Sequence, residues 1–169
     1  IRTLINKKYT KRQNAIGAPA YDVILLFKML LLETWYNLSD CALEERINDS
    51  ITFSRFLGLK MEEVSPDHST ISRFRSALTE LGLMDKLLAQ FNKQLSRHHI
   101  SVREGVLVNA SLVEIRSTIE RTFGSIRRWF HGGRCRYRGL AKTHTQNILE
   151  SIAFNLYRTP GIIMSSSLG

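Results

Sequence analysis

Three side chains of the types that bind zinc lie near one another in the stretch HGGRCRYRGLAKTH. They are His131, Cys135 and His144. Structural zinc sites use four ligands at recurring spacings, whereas this spacing matches no standard site and no fourth ligand is evident. We therefore expect no metal here. The chain has only two cysteines and no CxxC pair, which is typical of a protein kept in the reducing cytoplasm.

An amide and a carboxylate form a second candidate group. Asn109 ends the apolar run VLVN, and Glu120 follows it, one helical turn beyond Arg116. Each residue has a modest explanation. Asparagine suits the end of a strand, and a Glu–Arg pair at this spacing on a helix surface contributes only about 0.2–0.5 kcal/mol. The residue types alone leave these explanations open beside a catalytic one.

Basic side chains are concentrated in two segments that contain no acid. Residues 1–12 hold five of them and residues 121–142 hold seven. The remainder of the chain is mildly acidic, with twelve basic against fifteen acidic side chains. Two basic patches on such a body indicate a polyanionic partner, with nucleic acid as the leading candidate. The alternative is that the arginines only keep a loop solvated.

A membrane partner is not expected. The apolar run Val23–Leu32 is interrupted by Lys28 and is too short to span a bilayer, and no signal peptide is visible.

Helical periodicity covers most of the chain. The predicted helices run from Asp22 to about Tyr36, from Ser39-Asp40 to about Asn48, from Ile51 to Leu57 before Gly58, from Ser65-Pro66 to Gly82, from Leu83 to Arg97, and from the capping-box pair Thr143 and Gln146 to Pro160-Gly161. The first of these helices is apolar almost all round, which is typical of a core helix.

The helix after Ser65-Pro66 has two distinct faces. Its core face is predicted to consist of Ile71, Phe74, Leu78 and Leu81, and its opposite face of Ser69, Ser72, Arg73 and Ser76. Short hydroxyl side chains beside an arginine suit a helix that lies in a DNA groove, because they reach phosphates and bases without crowding. An ordinary amphipathic surface helix would show the same pattern.

The only convincing strand is Val106–Asn109. Beyond it, one helical stripe is formed by Ile119, Phe123, Ile126 and Phe130. The prediction is thus six or seven helices against one strand. Because a strand needs a partner, a lone strand is an unusual feature of this pattern.

The chain resembles the transposases of bacterial insertion sequences, in particular the IS-five group of the DDE superfamily. The stretches YDVILLFKMLLLETWYNLSDCALEERINDSITFSRFLGL and SPDHSTISRFR are similar to the family's N-terminal helical DNA-binding region. GVLVNASLVE resembles the first catalytic strand, and IERTFGSIRRWFHGGRCRYRGLAKTHTQNILESIAFNLYR resembles the C-terminal block.

The resemblance implies roles for individual positions. Asn109 stands where the family has its first catalytic aspartate, and Glu120 matches the third catalytic carboxylate. Arg116, Glu120 and Arg127 reproduce the family spacing R-x(3)-E-x(6)-K/R, whereas the tyrosine expected at Val113 is missing.

The family's chemistry needs more carboxylates than this chain supplies. Its RNase H-like sheet carries three of them, which hold two magnesium ions for attack on a phosphodiester. Magnesium takes hard, anionic oxygen ligands, and Asn109 offers a neutral amide. The central segment that would bring the second carboxylate is absent, and no aspartate follows Asp85. We therefore expect this form to be catalytically inactive and to hold no cofactor.

Together these observations predict a mainly α protein in two parts. Residues 1–100 would be a helical, helix-turn-helix-like DNA-binding region, and residues 101–169 a remnant of an RNase H-like fold with one strand and C-terminal helices. The expected partner is double-stranded DNA, as the terminal inverted repeats of a transposon, with a homodimer as one option. The predicted DNA-binding residues outside the serine-rich helix face are Arg116, Arg121, Arg127, Arg128, Arg134, Arg136, Arg138 and Lys142.

Two alternatives stay open. The first is an active transposase whose central segment lies outside this sequence, and the chain does open on Ile1 rather than on methionine. The second is a helix-turn-helix transcriptional regulator, for which the target would be a palindrome in a promoter.

Overall fold

The computed structural model of the chain describes residues 1–9, 21–60, 63–97 and 134–166, with side chains as far as residue 157. In these ranges the protein consists of helices joined by short connections, which confirms the mainly α class. The helices are α1 (Arg2–Tyr9), α2 (Val23–Tyr36), α3 (Asp40–Asp49), α4 (Ile51–Leu57), α5 (His68–Glu80), α6 (Met84–Arg97) and α7 (Leu140–Ser166). The predicted strand Val106–Asn109 and the stripe after it lie outside the described residues.

The central element is α2, which contacts α1, α3, α4, α5 and α7. Its apolar sequence explains this position, since a helix without a polar face must be covered on all sides. Asp22 caps its start by accepting the backbone N–H of Ile24 at 3.1 Å. The helix ends at Asn37, which adopts a left-handed conformation with φ of 54°. Asparagine tolerates this conformation better than most residues, and the predicted bounds are confirmed.

The bounds of α3 and α4 also agree with the prediction. The hydroxyl of Ser39 accepts the N–H of Ala42 at 3.2 Å and so caps α3. Gly58 ends α4 with φ of 85°, a conformation that costs glycine little because it has no Cβ atom.

The start of α5 differs from the prediction. Asp67 is the N-cap, and its carboxylate accepts the N–H of Thr70 at 2.6 Å. The predicted cap Ser65 is instead buried and donates its hydroxyl hydrogen to Oδ1 of Asn48 at 2.8 Å. Both residue types suit an N-cap, but a carboxylate also interacts favourably with the positive end of the helix dipole.

The predicted core face of α5 is confirmed. Ile71, Phe74 and Leu78 have no exposed surface, and Leu81 packs against them partly buried. The ring of Tyr9 meets that of Phe74 edge-on, with 5.4 Å between centroids, so α1 covers this side of the core. One hydrophobic cluster continues from α1 and α2 to the buried apolar side chains of α6 and α7.

Both predicted ends of α7 are wrong. The helix begins at Leu140, and the N–H of Thr143 donates to the carbonyl of Gly139 at 3.1 Å within the first turn. Thr143 and Gln146 therefore form no capping box. The helix also continues past Pro160 to Ser166. Proline removes one backbone donor and strains a helix without necessarily ending it.

Candidate nucleic-acid interface

The serine-rich face of α5 lies on the surface, away from the core. Ser72 and Arg73 are exposed, and Ser69 and Ser76 are partly exposed. A helix of 3.6 residues per turn places these four side chains on one side, opposite the core residues. We call them the exposed face of α5.

Arg73 is folded back along its own helix. Its Nε donates to the carbonyl of Ser69 at 3.2 Å, and its Nη2 donates to the hydroxyls of Ser69 at 3.0 Å and Thr70 at 3.3 Å. Hydrogen bonds of Asp67 with Thr70 lower the pKa of that carboxylate, and the charge of Arg73 adds to the effect. These three hydrogen bonds are all exposed, and water competes for the partners of an exposed hydrogen bond.

A second exposed group lies in the loop Arg134–Gly139, which we call the basic segment, and at the start of α7. Arg134, Arg138 and Lys142 are all exposed. The segment is held by the buried side chain of Gln146, whose Nε2 donates to the carbonyl of Arg134 at 3.0 Å. The Oε1 of Gln146 accepts the N–H of Arg136 at 2.9 Å. Both ends of one amide thus fix the backbone that carries the basic side chains.

Arg136 points the other way. Its Nη1 donates to Oε1 of Glu33 at 3.0 Å, and its Nη2 donates to the carbonyl of Leu38 at 2.5 Å. The sequence grouped Arg136 with Arg134 and Arg138 as a DNA contact. The structure separates Arg136 from the other two, because Arg136 forms an ion pair with an acid of α2.

Sequence reasoning missed the residues that receive Arg136. The Nη2 of Arg75 donates to Oε2 of Glu33 at 2.6 Å and also pairs with Asp40. The ring of Tyr137 stacks on Arg75, 4.8 Å from centroid to guanidinium carbon, and its hydroxyl donates to Oε1 of Glu33 at 3.0 Å. We call these five side chains the Glu33 junction. The sequence did contain a signal for this junction. Glu33 is an acid within an apolar core helix, and such an acid cannot stay buried without partners.

Burial and charge oppose each other in the junction. Burial raises the pKa of Glu33, and the nearby charges of Arg75 and Arg136 counteract the rise. Burial alone would lower the pKa of Arg75, but the hydrogen bond with Asp40 and the charge of Glu33 outweigh it, so the pKa lies above its usual value. Burial also raises the pKa of Tyr137, and its hydroxyl therefore keeps its proton and donates to Glu33.

The remaining predicted site residues lie outside the described ranges. They are Asn109, Arg116, Glu120, Arg121, Arg127 and Arg128. Position 109 carries a neutral amide, which does not suit magnesium, an ion that takes hard, anionic oxygen ligands. Within the described ranges, no group of three or more His, Cys, Asp or Glu side chains is arranged to hold a metal. Of the zinc-type residues, His144 instead contacts Asp85 at 2.8 Å.

Comparison with known families agrees with the two-block pattern in the sequence. A family model described as "Transposase domain (DUF772)" matches residues 1–77, and one described as "Transposase DDE domain" matches residues 85–159. No solved structure matches the chain. The two family matches together cover most of the sequence, and the chain belongs to the DDE transposases of insertion sequences. None of the described helices is both long and apolar enough to cross a membrane.

Proposed function

We propose that this chain is a DNA-binding protein derived from an IS-five-type transposase, and that it occupies the terminal inverted repeats of a transposon without cutting them. The observation that carries the proposal is the proximity of two DNA-compatible surfaces. The ring of Tyr137 in the basic segment stacks on Arg75 of α5, so this segment lies beside the helix that carries the exposed face.

In this proposal the two surfaces have different tasks. The exposed face of α5 enters the major groove, where its short hydroxyl side chains allow close approach. The guanidinium of Arg73 exchanges its hydrogen bonds with α5 for a bidentate contact with guanine. Such a contact is worth about 1–3 kcal/mol of discrimination between bases. Arg134, Arg138 and Lys142 bind phosphates, which gives affinity and orientation but no sequence information.

The proposed loss of catalysis rests on donor chemistry. A neutral amide at Asn109 and a lone family carboxylate at Glu120 leave magnesium without the anionic ligands that it needs. End-sequence DNA should therefore remain intact with magnesium or manganese. Asn109→Asp alone should not restore cleavage, since a second aspartate is still lacking. Nicking of end DNA by a nuclease-free preparation of either form would refute this part.

The match to a transposase DDE domain favours one second candidate, an active transposase of which this chain is a part. In that case, joining the chain to a central segment with the missing carboxylate and restoring Asp at position 109 would yield strand cleavage. The chain as it stands should bind the end DNA without cutting it.

The test of binding is a competition titration of wild type and Arg73→Ala against end-sequence and scrambled duplexes. Arg73→Ala should weaken binding to the end sequence by roughly five- to 150-fold, the equivalent of 1–3 kcal/mol, and leave scrambled DNA nearly unaffected. Arg138→Ala is the matched control, because loss of a phosphate contact should weaken both duplexes equally. Equal losses for Arg73→Ala would make it a phosphate contact as well. Failure of the wild type to bind either duplex would refute DNA binding.

A further inference from the structure

The α5 helix and the basic segment meet at a single carboxylate. Oε2 of Glu33 accepts from Arg75, and Oε1 accepts from both Arg136 and Tyr137. Only 4% of the Glu33 side chain is exposed. Arg75 falls in the first matched transposase region, and Arg136 and Tyr137 fall in the second. Glu33 therefore joins the two regions.

The contacts place the basic segment and the first turns of α7 along one flank of α5. Tyr137 lies over Arg75, and the hydroxyls of Thr79 and Thr145 are 2.8 Å apart. Arg75 and Thr79 are neighbours on the helix surface, since residues four apart face the same way. Ser72 and Ser76 each stand three residues before one of them, so the exposed face of α5 begins directly beside this flank.

Arg136 faces the opposite way from its two basic neighbours. A regular extended chain would turn these alternate residues to the same side, and residues 134–139 do not follow that rule, with bends at residues 137–139. Arg136 is turned inward to Glu33, whereas Arg134 and Arg138 are both exposed. The arginine that holds the segment thus lies between the two exposed ones.

We propose that Glu33 is a positioning residue for DNA binding: it holds the basic segment beside the exposed face of α5, so that Arg134 and Arg138 contact the phosphates of the duplex that receives α5. This inference rests on the proposed function. A junction that merely stabilised the fold would leave the orientation of the segment unchanged when its charge is removed. Buried ion pairs are weak evidence for stability, so orientation is the quantity to measure.

The two cysteines allow the position of the segment to be measured without DNA. Cys41 and Cys135 are both exposed, and they adjoin Asp40 and Arg136, two members of the Glu33 junction. A short bismaleimide should join them within one molecule in the wild type. Glu33→Gln keeps the shape of the side chain but removes its charge, and it should reduce the yield several-fold. An unchanged yield, or no cross-link in the wild type, would overturn the proposal.

A double-mutant cycle tests the consequence for DNA. In the wild-type background, Arg138→Ala should weaken binding and lower the log–log salt slope by about 0.9, the value for one phosphate contact. In the Glu33→Gln background the same substitution should cost almost nothing, because the contact is already lost. Coupled residues show such non-additivity, whereas independent ones do not. Equal costs in both backgrounds would overturn the proposal.

A second variant guards against unfolding of Glu33→Gln. Tyr137→Phe keeps the ring over Arg75 and removes only the hydroxyl donor to Glu33, and it should give a smaller change of the same kind in both assays. Additive costs for Tyr137→Phe and Arg138→Ala would overturn the proposal even if Glu33→Gln cannot be purified. If the wild type binds no DNA, the proposed function fails, and the cross-linking yields still report whether Glu33 positions the segment.

Discussion

Three consecutive residues of α5 have three different environments. Arg73 is exposed and donates to Ser69 of its own helix, Phe74 is fully buried in the core, and Arg75 is buried between two carboxylates. The two arginines are chemically identical and differ only in the direction that the helix gives them. Arg73 is thus a candidate contact for another molecule, whereas Arg75 is part of the framework of the protein.

The same contrast occurs in the basic segment, where Arg136 is turned inward and its neighbours Arg134 and Arg138 are exposed. Substitutions of framework residues should therefore lower stability, whereas substitutions of exposed residues should change DNA binding with little effect on stability.

Arg75→Ala should have the largest effect. The substitution leaves Glu33 and Asp40 without their guanidinium, and removing one partner of a buried ion pair costs about 3–5 kcal/mol. Urea unfolding of Arg75→Ala beside Arg73→Ala measures the difference. Similar midpoints for the two variants would show that Arg75 is no more a framework residue than Arg73.

Phe74→Ala should destabilise the protein almost as much as Arg75→Ala. The cavity left in the core should lower the free energy of unfolding by roughly 3–5 kcal/mol. The ring contact with Tyr9 is lost as well. Phe74→Leu is the matched control, since it fills much of the same volume and should cost clearly less. The melting temperatures of the two variants provide the measurement, and equal values would contradict a tightly packed site.

Asp67→Ala should cost about 1 kcal/mol, the usual value of an N-cap. Because hydrogen bonds with Thr70 lower the pKa of Asp67 in the folded state, the charged cap stabilises α5 above the unfolded pKa. This stability is lost as the pH falls from about 4, the ordinary pKa of aspartate, through the lower pKa that Asp67 has in the folded state. Unfolding curves of wild type and variant should therefore converge at acid pH. A constant gap down to strongly acid pH would contradict the role of the carboxylate.

Arg73→Ala should change stability least, by no more than about 0.5 kcal/mol, as is usual for an exposed site. Its circular dichroism spectrum and unfolding midpoint should match those of the wild type, while its binding of end-sequence DNA is impaired. A midpoint far below that of the wild type would assign Arg73 to the framework and remove the contrast with Arg75.

Much of the fold could be predicted because its signals are local. The bounds of α2, α3 and α4 follow from caps and glycine within a few residues of each end, and the core face of α5 follows from its 3.6-residue period. The errors also have local causes. Ser65 and Asp67 are both good N-caps, and short-range rules do not say which of them will hydrogen-bond to a neighbouring helix instead. Pro160 weakens a helix, but only packing decides whether the helix continues.

The candidate site was only partly predictable. The exposed face of α5 was visible as a pattern, and so was the excess of arginine in the basic segment. The inward turn of Arg136 was not visible, because its partner Glu33 is 103 positions away in the chain.

Local patterns in the sequence were enough to predict the helical class, most helix ends and the side of α5 that is buried. Which charged side chains are exposed to another molecule, and which are buried in ion pairs, depends on how distant helices pack. Helical periodicity shows which side of a helix faces the interior, and this pattern involves only residues a few positions apart in the sequence. The partner of a buried charge is chosen by which distant helices pack together, as Glu33 of α2 receives Arg75 of α5 and Arg136 of the basic segment.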